Sequence, residues 1–230
     1  MTNKAKTIKI VTPRASALFA KLSEANRHFC KKPQDPGTYE IGLVYDPNDP
    51  AWKAIEAQLD DLIDNEAREM VDADRWEDAK DDPSRAPARA NYWRADKQKD
   101  GDEVVRTGLR VMSPRMKEFW PGKNGKPDRP NKVAVYDSMT QRLLPIPEIG
   151  NGSVVQARFV AAPYWHSGQG KYGVSLSLEA VILRELKSYG ADDSAAGFEA
   201  DDAGYVGAPV EDTWDPAESP SEPEHEAADL

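Results

Sequence analysis

Basic and aromatic side chains interleave through the middle of this 230-residue sequence. Arg89, Tyr92, Trp93, Arg94, Lys97 and Lys99 come first, and Arg106 and Arg110 follow. Arg115, Lys117 and Trp120 come next, then Lys123, Lys126, Arg129 and Lys132. Cations in such a series neutralise phosphates. The flat rings between them offer faces on which unpaired bases stack, each worth roughly 1–3 kcal/mol whatever the base. Any one of these residues is more often an ordinary solvated surface group. As a cluster, in a chain of net charge −10, they point to a single-stranded nucleic acid. A second aromatic group sits in PYWHSGQGKYG at 163–173, where Tyr164, Trp165 and Tyr172 surround a glycine-rich turn. Rings there either stack bases or cap the end of a core, and the pattern leaves both open.

Other chemistries find less support. GQGKYG fits G-x-G-x-x-G, but VSLSLEAV follows it and alternates like a strand, where a dinucleotide loop would open a helix. His28, His166 and His225 are scattered and Cys30 is the single cysteine, so there is neither zinc-site spacing nor an intrachain disulfide. Asp60, Asp61, Asp64 and Glu66 crowd one expected helix, with Asp81 and Asp82 beyond it. A two-metal nuclease needs acids converging from different elements, whereas a run along one helix is a solvent-facing surface. The expected mechanism is therefore binding, with no catalytic residue, no metal and no cofactor.

The elements that would position these residues are mostly strands. Residues 5–12, 38–45, 104–112, 132–139 and 153–162 read as strands from their alternation and β-branching, and 173–186 as a final strand or pair of strands. Leu176, Leu178, Ala180 and Ile182 share one face by period two. Residues 15–22 are ambiguous between helix and strand. Asp49 and Pro50 open a helix over about 50–72, with Trp52, Ile55, Leu59, Leu62, Ile63 and Met70 on its apolar face. Residues 73–103 read as a long loop. Strands, one inserted helix and more strands separated by glycine turns suit a small β-barrel of OB type.

Charge divides the chain. After Lys187 there is no further Lys or Arg, and residues 190–230 carry 13 Asp and Glu. Residues 1–189 therefore hold all 30 basic residues and 27 acidic ones. A slightly basic folded domain (1–189) carries an acidic, Pro- and Ser-containing tail (190–230) that buries too little to offset its ordering entropy, and the tail is expected to be disordered. No apolar run approaches the ~20 residues of a membrane span, and the start lacks a signal-peptide pattern.

An ordered series of segments carries a resemblance. It comprises TYEIGLVYDPNDPAWKAIEAQLDDLID, a Val-rich strand ending in YDS, the IPEIGNGS turn, PYW, a glycine loop, LSLEAVILREL and the acidic end. Together these span most of residues 38–230 and resemble the T7-type phage single-stranded DNA-binding protein family. The resemblance implies a mainly β, OB-fold barrel with one long inserted α-helix and a disordered acidic tail. It implies a homodimer that binds single-stranded DNA without sequence preference in replication, recombination and repair, in the cytoplasm of an infected bacterial cell. Arg158 and Tyr164 match family positions that contact DNA. Bases are expected on Tyr164, Trp165, Trp93 and Trp120, and phosphates at Arg94, Arg106, Arg110, Arg158 and Lys126. In the family the tail ends in an aromatic residue. Here Leu230 stands at the end and Trp214 is the nearest tail aromatic. Trp214, Glu222, Glu224, Glu226, Asp229 and Leu230 are expected to meet phage DNA polymerase and helicase-primase. The alternative is a phage scaffold or assembly protein whose tail serves protein contacts alone.

Overall fold

The computed structural model describes residues 6–100, 103–122 and 127–187, with the side chains of 99 and 100 excepted. Lys123 and Lys126 lie outside the described residues. So do the expected boundary at 189/190 and the whole tail, including Trp214, Glu222, Glu224, Glu226, Asp229 and Leu230.

The architecture is mainly β. Twelve strands occur among the described residues: β1 (Ile8–Val11), β2 (Ala15–Asn26), β3 (Thr38–Tyr45), β4 (Ala88–Arg89), β5 (Trp93–Asp100), β6 (Glu103–Met112), β7 (Arg115–Lys117), β8 (Phe119–Trp120), β9 (Arg129–Pro130), β10 (Ala134–Tyr136), β11 (Val154–His166) and β12 (Lys171–Glu185). Strands β8 and β9 pair with each other, and the other ten form one sheet. Within it the pairings run in a circuit: β2 with β3, β3 with β7, β7 with β12, β12 with β11, and β11 back to β2. Core residues such as Ile41, Leu43, Val155, Phe159, Leu178 and Val181 are buried, and Tyr45 stacks on Trp52 at 4.0 Å.

Two departures from simple alternation bear on the sequence expectations. In β2, Ala15 and Ala17 are buried, then Phe19 turns out and Ala20 and Leu22 are buried. The register to β3 slips by one residue there, since Leu18 pairs with Gly42 and Lys21 with Glu40. Segment 15–22 is thus a bulged strand. Its changed frame is what made it ambiguous, because buried positions 17, 20 and 22 mimic neither period. Gly42 is needed opposite the bulge: a Cβ there would stand 2.8 Å from the Leu18 carbonyl oxygen.

In β12 the pairing jumps from Phe159–Leu178 to Arg158–Ala180, leaving Glu179 as an extra residue. The expected face of Leu176, Leu178, Ala180 and Ile182 is therefore broken. Beyond the bulge Val181 and Leu183 belong to the core cluster, while Ala180 is buried outside that cluster and Ile182 is half-buried.

The expected long helix is shorter and composite. Helix α1 (Pro50–Asp61) is opened by Asp49, whose side chain accepts the Ala51 N–H, and it continues into a π-helical turn, Leu62–Ala67. Trp52, Ile55, Leu59, Leu62 and Ile63 are buried as their spacing predicts. The wider turn carries the buried face on to Ala67 and Val71 and swings Met70 out to 41 % exposure. The described residues of 73–103 are not a loop. They form α2 (Ala73–Asp81), a short 3₁₀ turn, β4 and β5. Their few apolar residues hid them. Helix α2 attaches through Trp76, which packs on the core and meets Tyr172 edge-on at 6.1 Å, and β5 is held by its hairpin to β6. The strand expected over 132–139 is reduced to β10, paired parallel to β12. No described helix is long and apolar enough to cross a membrane.

Candidate nucleic-acid interface

Strand β11 positions the site by alternation. Val155, Ala157, Phe159, Ala161 and Pro163 point inward, so Arg158, Val160, Ala162 and Tyr164 lie on the outer face. Tyr164 pairs with Gly173 of β12. A Cβ on Gly173 would come within 3.3 Å of the Tyr164 Oη and 3.1 Å of the Ala90 Cβ. The last glycine of GQGKYG thus makes room for a ring lying across the sheet and for the neighbouring chain at Ala90. Gly170 supplies the left-handed turn residue, with φ 61°.

Tyr164 opens onto a groove of about 650 Å³ between β12, β7 and β8, also lined by Arg115, Lys117, Trp120 and Tyr92. Trp120 is 52 % exposed, and the Lys117 Nζ lies 5.6 Å from its ring centroid, a cation–π distance. Arg115 is held by Glu40, with Nε 3.2 Å from Oε2. Tyr92 donates to Asp60 at 3.1 Å. Burial, then the charges of Asp60 and Glu56, push its hydroxyl well above the ordinary tyrosine range. Chemically the groove offers two accessible rings, two cations and the hydroxyls of Ser175 and Ser177.

The other expected residues are dispersed. Trp165, one residue from Tyr164, faces the opposite way. It packs partly buried against the core, and its indole N–H donates to Asp72 at 3.1 Å. Arg158 shares Tyr164's face but stands six residues along, about 20 Å away. Its Nε is 2.9 Å from the Glu179 Oε2 without the alignment of a hydrogen bond, and Lys9 reaches Oε1 of the same carboxylate at 3.4 Å. Two cations on one acid leave that patch net positive. Arg110 donates to Glu56 at 2.6 Å and covers the Trp93 ring at 4.0 Å. Its guanidinium is raised: burial opposes the charge, and the bond and charge of Glu56 outweigh it. Arg94 and Arg106 are exposed on the β5–β6 hairpin, with Arg106 directly opposite Lys97.

Several of the crowded carboxylates on α1 and its π-helical turn have partners. Asp60 and Asp64 hold Arg89 at 2.6 and 3.2 Å. Among the described residues no group of three His, Cys, Asp or Glu side chains converges as metal ligands.

Two exposed aromatics escaped the sequence reading. Phe19 is 61 % and Phe29 83 % exposed. By alternation Phe19 belongs to the core side, and nothing in the composition announces the bulge that ejects it. Phe29 precedes Cys30, Lys31 and Lys32, and that pairing of a ring with cations was a usable signal.

A family model described as the single-stranded DNA-binding protein of bacteriophage T7 matches residues 15–186. The single-stranded DNA-binding protein of Escherichia phage T7 is 30% identical over 107 residues, 43% of this chain and 46% of that protein. The one from Enterobacteria phage T3 is 34% identical over 97 residues, 41% of this chain and 40% of that protein. The matched stretches thus span less than half the length of either relative. The crystal structure of the single-stranded DNA-binding protein encoded by bacteriophage T7 superposes with a TM-score of 0.58 at 21% identity, covering 88% of this chain and 100% of that one. At that identity the likeness is one of fold.

Proposed function

Since the chain belongs to the single-stranded DNA-binding protein family of bacteriophage T7, we propose that it coats and protects unpaired DNA without sequence preference during phage replication, recombination and repair. The observation that carries this reading is the groove in which Tyr164 and Trp120 present accessible rings beside Arg115 and Lys117. Bases stack on the rings while phosphates meet the cations. Such stacking tolerates any base because every base has a π-face. Arg158, Lys9 and the exposed arginines of the β5–β6 hairpin continue the positive surface. The mechanism is binding, and the strand so held neither re-pairs nor folds back. The circuit of five strands supports an OB-type barrel as the scaffold.

The tail of residues 190–230, with 13 acids and no Lys or Arg, imitates the ligand's charge. It competes for the basic surface when DNA is absent and, once displaced, offers acids and Leu230 to phage polymerase and helicase-primase. The working form is a homodimer in the cytoplasm of the infected cell. Deleting residues 190–230 raises affinity at low salt, and unchanged affinity there ends the competition idea.

Titrating fluorescent oligo-dT at several salt concentrations, beside a gel shift with duplex DNA with and without magnesium, tests the whole reading. Preference for single strands, no cleavage, and a log–log salt slope near −0.7 per phosphate contact are expected. A protein that shifts neither DNA in dilute buffer overturns it and leaves an assembly role for the tail.

A further inference from the structure

We infer that Phe19 and Phe29, with Arg94 and Arg115, form a second stacking platform that extends the path of a single-stranded nucleic acid beyond the Tyr164 groove. The inference rests on the DNA-binding reading and adds a site to it.

Phe19 is the first observation. Its backbone is left-handed, with φ 50°, a conformation unfavourable for a bulky side chain. The bulge of β2 puts it there, and its N–H donates to the Asn151 side chain at 2.7 Å, so the IPEIGNGS turn clamps the bulge in place. Backbone strain and an unburied aromatic ring are both unfavourable, and both persist at one residue. A flat apolar partner covering the ring offsets them. Phe29 is the second observation: it stands 83 % exposed beside His28, edge-on at 4.8 Å.

Both rings line one depression of about 370 Å³, together with Arg94 and Arg115. Arg115 and Ser113 also line the Tyr164 groove, so the two concavities share a rim. Charge selects the occupant. Arg115 is countered by Glu40, which also accepts from Asn26 at 2.8 Å, whereas Arg94 takes part in none of the ion pairs among the described residues. Two rings interleaved with cations and a net positive charge suit a polyanion carrying flat bases.

The test compares oligo-dT of about 5 and about 16 nucleotides, the range of OB-fold site sizes, using the full chain. Phe19→Asn removes the ring while keeping a residue that tolerates the left-handed backbone. Phe29→Ala changes a side chain already in solvent. Each is expected to weaken the longer oligonucleotide about fivefold or more and to leave the shorter one unchanged. Arg94→Ala is expected to lower the salt slope for the longer one. If both ring variants bind the longer oligonucleotide like wild type while Tyr164→Ala weakens it, the platform is wrong and the groove stands. If wild type binds neither length, the underlying reading falls as well. Equal losses at both lengths, or a changed oligomeric state with DNA affinity intact, also overturn the extension.

Discussion

The helix side of the sheet and its groove side draw on the same residue types and use them differently. Towards α1 and α2, polar and charged groups find protein partners: Arg89 with Asp60 and Asp64, Arg110 with Glu56, Tyr92 with Asp60, and Trp165 with Asp72. On the groove side Arg115 is paired with Glu40, but Lys117 rests on a half-exposed Trp120, and Lys117 and Arg94 stay out of the ion pairs among the described residues. The boundary between these regimes passes between two adjacent residues, Tyr164 and Trp165. Satisfied hydrogen bonds mark architecture, and cations left beside bare rings mark a surface awaiting a ligand.

Several substitutions sharpen or break that contrast. Trp165→Ala should have the largest effect, a loss of stability on the order of 2–3 kcal/mol from removing a large, partly buried ring. Its DNA affinity should hold wherever the variant is folded. Urea denaturation monitored by circular dichroism, beside oligo-dT titration, checks both halves. A folded Trp165→Ala that loses DNA as Tyr164→Ala does would erase the distinction. Tyr164→Ala should show the reverse pattern, unchanged melting with affinity reduced by roughly 1–3 kcal/mol and little change in salt dependence. Arg158→Ala should cost less and should flatten the salt slope by about 0.7, one phosphate contact on a single strand. An unaltered slope assigns Arg158 to Glu179 and the fold instead.

The smallest effect concerns alkaline pH. On the helix side, burial first and then nearby carboxylates raise the hydroxyls of Tyr45 and Tyr92. The folded chain keeps protons that the unfolded chain releases above about pH 10. The stability linked to them is complete below that pH and declines as pH rises through it. Urea midpoints measured at about pH 8 and about pH 10.5 should differ, and less so in Tyr92→Phe. A Tyr92→Phe protein with the same decline would remove Tyr92 from the account.

Much of this was legible in the chain. The strand of Thr38–Tyr45, the Asp49 cap and the apolar stripe of α1 follow from local chemistry, and the structure reproduces them. The cluster of Lys117, Trp120 and Arg115 was visible as composition and falls in one groove with Tyr164. What failed to show has physical causes. Helix α2 and strand β5 are anchored by contacts to distant residues, and their own windows are too polar to signal burial. The two bulges change the frame mid-strand, so a period read on one side predicts the wrong face on the other. Whether Tyr164 or Trp165 turned outward was a matter of parity along β11, fixed by its pairing with β12.

The extra residue in β12 has a consequence for how this surface can vary. Glu179 and Ala180 together stand opposite Arg158. Removing Glu179 would restore strict alternation, so that Leu178, Val181 and Leu183 keep their sides. A one-residue deletion inside a strand ordinarily inverts everything downstream. Here it would subtract an acid and a bend and leave the interior in phase. The charge beside Arg158 is thereby uncoupled from the packing beneath it, and descendants of this chain are free to retune one without rebuilding the other.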